Sequence, residues 1–560
     1  MIGVLGILLS LGLLMYAAYR GFNVLLVAPL LALLATVIGG DTRLLATLSQ
    51  IYMKSLGGFV TGYFALFMLG AILGRLMADS GSAAVIARWI VDRLGPRHAV
   101  LAIVLACAVL TYGGVSVLVV IFAAYPVATA IFRSSRTPKR FIPAAVLLGG
   151  ATFTLSGIPG TPSIQNAMPI AFFGTDTFAA PGVGSIGGLV MFLFGAWWLN
   201  RRARQAAAAG EGYGEHPLDV QDAAPSPHHP PLLVAVLPLL VVLIGNVAMT
   251  WWIIPAMDLA YLKEPKFGGA GVNDVRGLWA LVTALGAANV VAILLHWSRW
   301  ADLKQSLNEG TYSSMLPIFN TASEIAYGAV IASLAGFGAV QVALSALTSN
   351  VIVNEAIAVN IMAGITGSAA GGLGLALGML GKTYLAAATA AGISPELLHR
   401  VAAIACGGLD SLPHNGAVIT MLGICRLTHK QAYFDMFMVS VVGPLLALVA
   451  VLAAGVTFGS FRWPCPARGP SLPWRRAAPH ESRPIGRGRV HDRKPGLGAR
   501  FEPPAASPSR PLAQSSAPST RGNATTWSTS SLIPIRSPIA WLWCEGTSDR
   551  SCLPSSSFNV

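Results

Sequence analysis

The sequence contains few charged residues. Only 11% of its 560 residues are Asp, Glu, Lys or Arg, while 54% are hydrophobic, a balance far from that of a soluble domain. Apolar runs recur from residue 2 to residue 458, and about 20 such residues suffice to cross a bilayer. The first run has no charged leader and no cleavage site, so we interpret it as a retained helix. These features predict an all-α polytopic membrane protein with about 12 to 14 spans.

Cysteines and enzyme signatures are scarce as well. The six cysteines show no Cys-x-x-Cys or Cys/His spacing, so we predict neither a metal site nor a cofactor. The chain has no phosphate-binding G-x-x-x-x-G-K-[ST], no H-E-x-x-H and no G-x-S-x-G in a strand–helix context. We therefore do not expect an enzyme, and transport would be driven by gradients or by another subunit.

The net charge of +14 is unevenly distributed. Residues 461–560 hold 14 Lys and Arg against 5 Asp and Glu, together with 15 of the 36 prolines, a composition that predicts a disordered tail. Its abrupt start also suggests out-of-frame translation of a GC-rich gene, a hypothesis that an unbroken reading frame through codon 461 would disprove. The other cations lie at the ends of apolar runs, the positive-inside pattern, so we expect no nucleic-acid partner.

The rest of the chain divides into two matching parts. A polar linker, 200–230, separates a first membrane repeat, 1–199, from a second, 231–460, and Pro159 in the first matches Pro413 in the second. Three arginines follow Gly81, whereas the stretch after its counterpart Gly338 has no Lys or Arg. Opposite cation bias places equivalent loops on opposite sides. We therefore predict two inverted-topology repeats with broken helices and re-entrant hairpins, joined by a cytoplasmic linker.

A first helix-breaking polar stretch, 155–166, interrupts an apolar run with two glycines and two prolines. Unpaired backbone groups at membrane depth are tolerated only beside protein or a water-filled cavity. Thr161 before Pro162 predicts a helix N-cap whose positive dipole end suits a carboxylate. The competing interpretation is a kinked structural helix whose polar residues are satisfied internally. The candidate substrate ligands are Ser156, Thr161, Ser163, Gln165 and Asn166.

The second copy, 409–416, is more charged than the first. Asp410 and His414 are ionisable residues within an apolar stretch, where such residues are usually functional. We predict that they couple transport to protons, although Asp410 is also consistent with a structural ion pair or a helix cap. Ser411 and Asn415 are further candidate substrate ligands.

Another pair of breaks lies upstream in each half, at 111–116 and 367–374. Their glycines are consistent with close helix packing, but their matched positions favour hairpin tips with Ser116 and Ser368 as ligands. Glu324, well inside an apolar run, is a third candidate for proton coupling, whereas Glu355 is consistent with a helix start.

At these breaks the chain resembles the gluconate:proton symporter family, the GntP-type permeases of the ion transporter superfamily. The resemblance rests on IPGTPSIQNAMP at 158–169, FFGT at 172–175, and LDSLPHNGAVITML with the following CRLTHKQAY within 409–433. It implies uptake of a small hydroxy-monocarboxylate, such as gluconate or 3-hydroxybutyrate, with protons across the inner membrane of a bacterium.

We therefore expect a secondary active transporter whose partners are a small organic anion, a proton and membrane lipid, and the sequence allows a homodimer. The alternatives are a sodium-coupled di- or tricarboxylate carrier of the same superfamily, a passive anion channel and, more distantly, an intramembrane enzyme.

Overall fold

The apolar runs form α-helices because backbone within a bilayer must satisfy its own hydrogen bonds. The computed structural model describes residues 2–216, 230–413 and 415–459, and this part contains no β-strand. The predicted all-α polytopic fold is confirmed. The helices of the first half are α1 (Ile2–Tyr19), α2 (Val24–Ile38), α3 (Leu44–Asp79), α4 (Ser82–Leu94), α5 (Ala99–Tyr112), α6 (Val117–Ser134), α7 (Ile142–Ala151), α8 (Ile164–Phe173) and α9 (Pro181–Ala208). Those of the second are α10 (Leu232–Ala256), α11 (Val272–Leu295), α12 (Leu303–Ser333), α13 (Phe337–Leu347), α14 (Val351–Thr366), α15 (Ala369–Ala390), α16 (Pro395–Ala405), α17 (Gly416–Cys425) and α18 (His429–Thr457).

Among the described helices, eight are long and apolar enough to cross a membrane: α3, α6, α9, α10, α11, α12, α15 and α18. This is fewer than the 12 to 14 spans predicted, because several apolar runs form helices too short to cross alone. The pair Ser82–Leu94 and Pro96–Tyr112 adds a ninth candidate, bent by 104°. The longest apolar runs of the sequence are divided between shorter helices. The run 141–173 contains α7 and α8, and the run 355–380 contains most of α14 and the first half of α15. The predicted breaks are therefore real interruptions of helices.

The second half repeats the order and the packing of the first. Helices α1 to α9 match α10 to α18, including the long α3 and α12 and the short pairs α7–α8 and α16–α17. The contacts between the two halves are also reciprocal. Helix α3 packs on α11, and its counterpart α12 packs on α2. Helix α8 packs on α15 and α16, and its counterpart α17 packs on α6 and α7. This pairing is that of an internal two-fold repeat.

The two ends of α9 show that the repeats are inverted. Helix α8 ends shortly before α9 begins at Pro181. Helix α17 ends shortly before α18 begins. In α18, Asp435 accepts a hydrogen bond of 3.0 Å from Arg202, which lies near the other end of α9. The 28 residues of α9 extend about 40 Å. The matching helices α8 and α17 therefore end at opposite faces of the molecule, as the cation bias predicts.

Each repeat contains a re-entrant hairpin. Pro96, just before α5, lines a groove with Ser134 at the end of α6, so α5 and α6 run antiparallel from a tip at residues 113–116. In the second repeat, Tyr384 near the end of α15 donates 2.9 Å to Asn354 near the start of α14. The hairpin α14–α15 has its tip at 367–368.

A discontinuous span follows each hairpin. Arg140, just before α7, bonds Asp435 at 3.1 Å, so α7 starts at the face where α9 ends, whereas α8 leaves at the other. Helix α16 begins at the opposite face, because its His399 bonds Thr175 at 2.6 Å, beside the end of α8. The pairs α7–α8 and α16–α17 thus cross in opposite directions, each with a break in the middle.

The predicted linker begins within a helix, since α9 continues to Ala208 and Glu211 then pairs with Arg140 at 2.8 Å. The remainder of the linker at 217–229, the predicted coupling residue His414 and the predicted tail at 461–560 lie outside the described residues.

Candidate functional site

The first break separates α7 from α8. Ser163, rather than Thr161, is the N-cap of α8, because its Oγ accepts the backbone N–H of Asn166 at 3.2 Å. The prediction of Thr161 as the cap was wrong by two residues. The Ser163 hydroxyl also donates to the Leu155 carbonyl across the break, which fixes the start of the helix at this serine. Gly160 has φ +82, and a Cβ there would run into the ring of Phe178.

Side chains of α8 and of three other helices donate to the backbone carbonyls that this break leaves unpaired. Buried carbonyls need such partners, because leaving one unpaired costs about 1–3 kcal/mol. Three of the donors were not predicted as site residues. The pairs are Arg400 to Ser156 (2.8 Å), Tyr112 to Pro159 (2.9 Å), Asn246 to Gly160 (3.1 Å) and Asn166 to Thr161 (2.9 Å).

Arg400 is the charged centre of this network. It lies on α16, is fully buried, and also donates to the Ala179 carbonyl at 2.7 Å and to the Thr177 carbonyl at 3.4 Å. The guanidinium is suited to this position because its donors form a fixed planar fork. The sequence signal was present, since Arg400 lies within a long apolar run.

Asn166 is committed to holding the backbone. Its Nδ2 donates to the carbonyls of Thr161 and Thr177 at 2.9 Å each, and its Oδ1 lies 3.2 Å from Nε2 of His399. This side chain positions the first break and has little capacity left for a ligand. Ser156 is engaged similarly but weakly, with its hydroxyl 3.4 Å from the Thr152 carbonyl.

Three predicted ligands remain available at the first break and the nearby hairpin tip. The hydroxyl of Thr161 is fully buried and has no hydrogen-bond partner within the described part of the chain. Gln165 is half-buried and takes no part in the network above. Ser116 is exposed and begins α6 without a side-chain cap bond. A Cβ at Gly114 would lie 3.3 Å from the ring of Pro162, so this tip directly touches the break.

The second break, between α16 and α17, places its polar residues around Asp410. The half-buried carboxylate of Asp410 accepts the Ser411 hydroxyl at 3.0 Å. Asn415 is the N-cap of α17, accepting the N–H of Val418 at 2.9 Å. Its Nδ2 donates at 2.9 Å to the carbonyls of Gly367 and Asp410. Asn415 therefore ties the second break to the second hairpin tip.

That hairpin tip also brings Glu324 to the site. Ser368 caps α15 by accepting the N–H of Gly371 at 3.1 Å. Glu324 of α12 is buried and lies against the same turn, since a Cβ on Gly371 would overlap its carboxylate. The first turn of a helix favours an anion. Asn360 of α14, which the sequence analysis missed, lies against Gly408 of the second break, and its buried amide has no partner among the described residues.

The first repeat has no carboxylate at the place of Glu324. Residues 44–78 of α3 contain no Asp or Glu, and Gly74 lies against the first tip, where a Cβ on it would be 3.7 Å from the Ser116 nitrogen. The two hairpin tips thus share a geometry and differ in charge. The first tip has no acidic side chain against it, whereas Glu324 lies against the second tip and Asp410 lies in the adjoining break. Within the described residues, no group of three His, Cys, Asp or Glu side chains is arranged to hold a metal ion.

Comparisons with known proteins agree with this architecture. No family model matches the chain. It is 29% identical over 172 residues to an uncharacterized transporter of Haemophilus influenzae, covering 30% of this chain and 39% of that one. Its fold resembles that of the YdaH transporter of Alcanivorax borkumensis, whose crystal structure shows an unusual topology, with a TM-score of 0.51 and 18% identity over 76% of this chain and 90% of that one.

A longer match defines the family. The chain is 41% identical over 461 residues to YxjC of Bacillus subtilis, an uncharacterized transporter, covering 80% of this chain and 97% of YxjC. The apolar helices, the inverted repeats and this similarity lead to one conclusion. The chain is a multi-pass membrane protein that belongs to the family of transporters that includes YxjC.

Proposed function

We propose that this transporter is a secondary active symporter that takes up a small hydroxy-monocarboxylate, such as gluconate or 3-hydroxybutyrate, together with protons. One observation carries the proposal: the two matched break-and-tip assemblies are equivalent in geometry, but Asp410 and Glu324 occur only in the second. This difference supports binding of the organic anion at the first assembly, whose break is held by the cationic Arg400 and which lacks counterparts of Asp410 and Glu324, and binding of the proton at the second. The resemblance to GntP-type permeases supplies the substrate class.

The substrate carboxylate would bind at the start of α6. A helix N-terminus offers unpaired N–H groups and a positive dipole end, and Gly74 leaves this end without a carboxylate of the protein. Ser116, Thr161 and Gln165 would contact the substrate, because their polar groups are not used by the backbone network. Ser156, Ser163 and Asn166 would hold the break in shape.

The second assembly would bind the proton. Asp410 is half-buried beside Ser411 and lies within the break, whereas Glu324 lies at the tip of the hairpin. A carboxyl group can take up a proton on one side of the membrane and release it on the other when access alternates. Ser368, Ser411 and Asn415 would hold the backbone and Asp410 of this assembly in place. His414 remains a predicted coupling residue.

The location follows from the same reasoning. A multi-pass helical carrier related to a Bacillus protein fits a bacterial cytoplasmic membrane, with the loops rich in Arg at 133–140 and the linker 200–230 on the cytoplasmic side. The two repeats, 1–199 and 231–460, would move relative to each other during transport.

Reconstitution in proteoliposomes tests the function. We expect labelled gluconate or 3-hydroxybutyrate to accumulate under an imposed inward proton gradient, with a protonophore abolishing accumulation and sodium having no effect. Accumulation that requires a sodium gradient, with citrate as the better substrate, would contradict the proposal and identify a sodium-coupled carboxylate carrier. Single-channel currents without accumulation would identify a channel instead.

A further inference from the structure

A further carboxyl group is buried near the start of the second hairpin. Glu355 of α14 is 0% exposed, and neither of its oxygens has a hydrogen-bond partner in residues 2–216, 230–413 or 415–459. It lies inside the helix, after the N-cap Asn350, so the expectation that it marks a helix start is wrong. Its position is unusual even for a membrane protein, where buried ionisable groups are normally paired.

An ionised carboxylate in such surroundings would cost a large free energy, because no nearby group compensates for removing an unpaired charge from water. Glu355 is therefore neutral in this conformation, with a proton on one of its oxygens. The cost disappears only if the side chain gains water or a cation, which requires α14 to move relative to its neighbours.

Among the residues that the structure describes, no base or cation bonds to Glu355. Of the ionisable groups on the neighbouring helices, Tyr384 of α15 donates its phenol to Asn354, the residue before Glu355. Lys382 of α15 is exposed, and His399 and Arg400 of α16 bond to the first break. Helices α1 and α13 carry no Asp, Glu, Lys, Arg or His, and Glu396 lies half-buried at the start of α16. Asp435 of α18 pairs with Arg140 and Arg202.

The internal repeat indicates that the fold does not need a carboxyl group at this position. The matching helix α5 contains no Asp or Glu, and its Ala102 and Ile103 are fully buried. The first repeat thus fills the equivalent place with apolar side chains, as close packing alone would favour. The acid in the second repeat is a departure from the repeat, on the same hairpin whose tip contacts Glu324.

We propose that Glu355 is a proton-carrying residue of the transport cycle, which holds a proton in this conformation and releases it when the hairpin α14–α15 moves and the side chain meets water. The proposal rests on the proton coupling proposed above and adds a carrier that is separate from Asp410, His414 and Glu324. Each cycle would move the proton from one side to the carboxylate and then to the other side, with no other change in bonding.

The isosteric variant Glu355→Gln separates this role from a packing role. It keeps the shape and neutrality of the protonated acid but cannot release a proton. In proteoliposomes with labelled gluconate or 3-hydroxybutyrate, we expect it to lose proton-driven accumulation by at least ~10-fold while exchange of internal for external substrate stays within ~2-fold of wild type. The control is Glu309→Gln, an exposed carboxylate of α12 paired with Arg75. Wild-type accumulation by Glu355→Gln would overturn the proposal.

A second measurement does not depend on substrate. Dicyclohexylcarbodiimide reacts with protonated carboxyl groups in apolar surroundings, so we expect mass spectrometry to find the adduct on Glu355, less of it as the pH rises, and none on Glu309. Absence of the adduct from Glu355 at every pH would overturn the proposal. If wild type accumulates neither acid, the proposed function fails, and this labelling still decides whether Glu355 exchanges protons.

Discussion

The guanidinium of Arg400 donates 2.8 Å to the carbonyl of Ser156, so that a helix of the second broken span holds the break of the first. The same side chain reaches the carbonyls of Thr177 and Ala179 on the other side of α8. One buried cation of the second repeat therefore joins two segments of backbone of the first repeat. Rearrangement of either break during transport must either carry Arg400 along or break these bonds.

Arg400→Met should abolish transport and destabilise the protein. Methionine matches much of the volume but leaves the carbonyls of Ser156 and Ala179 without these donors, at about 1–3 kcal/mol for each buried group, whereas Thr177 keeps Asn166 as a donor. Arg400→Lys should retain partial stability with uptake reduced by ~10-fold or more, since an ammonium cannot reproduce the planar fork. Uptake assays and thermal unfolding in detergent check both, with the exposed Arg97→Met as the control. Wild-type stability of Arg400→Met would show that the network does not hold the break.

Neighbouring residues at the start of α8 should respond differently to truncation. Asn166→Ala removes two donors and one acceptor from buried partners, so we expect lower thermal stability together with lost uptake. Gln165→Ala removes a half-buried amide outside that network, so we expect a KM for the transported acid raised ~10-fold at unchanged stability, because only substrate binding is weakened. If both variants lose stability equally, Gln165 is structural and not a ligand.

The sequence predicted the architecture more fully than the site. Long apolar runs and proline-glycine breaks specify helices and their interruptions locally, and cation bias records which face each loop occupies. The inverted repeat with its paired breaks follows from those signals alone. The contact of Arg400 with Ser156 joins residues 244 positions apart, and no local pattern encodes such a pair.

The same limit applies to two of the candidate ligands. Asn166 and Asn415 were selected as polar residues in an apolar setting, and the structure shows both bonded to backbone carbonyls. A side chain that completes a broken helix and one that binds a ligand have the same sequence signature, because both are polar groups at an unpaired backbone. Only the hydrogen-bond partners in the folded structure distinguish the two roles. The hydroxyl of Thr161 has no partner among the described residues, so Thr161 stays a candidate ligand.

Gly371 should not tolerate a methyl group. A Cβ there would overlap the carboxylate of Glu324, so Gly371→Ala should displace Glu324 or the tip of the hairpin and cut uptake strongly. Alanine for glycine within a helix is otherwise stabilising by about 0.5–1 kcal/mol, and Gly62→Ala in α3, with nothing within 4 Å of its Cβ, is the matched control.

A double variant identifies the contact responsible. Gly371→Ala combined with Glu324→Ala should recover the thermal stability lost in Gly371→Ala, since the overlapping group is gone, while uptake stays low if Glu324 carries the proton. Additive losses of stability in the double variant would place the damage elsewhere in the hairpin.

The ion pair between Arg140 and Glu211 should make stability depend on acid pH. Both residues lie outside the membrane-spanning helices, and the hydrogen bond from Arg140 lowers the pKa of Glu211 below its ordinary value of 4.5. A carboxylate with a lowered pKa in the folded state stabilises the protein above its unfolded pKa, and this contribution is lost as the pH falls through the lowered value.

Glu211→Gln should therefore unfold at a slightly lower temperature than wild type at pH 7. The difference should be small, under about 1 kcal/mol, because exposed pairs are screened by solvent and Arg140 keeps Asp435 as a partner. It should shrink as the pH drops below about 4.5, whereas Glu215→Gln, an exposed neighbour, should match wild type throughout. Thermal unfolding in detergent across this pH range measures it, and a difference that grows at acid pH would contradict the assignment.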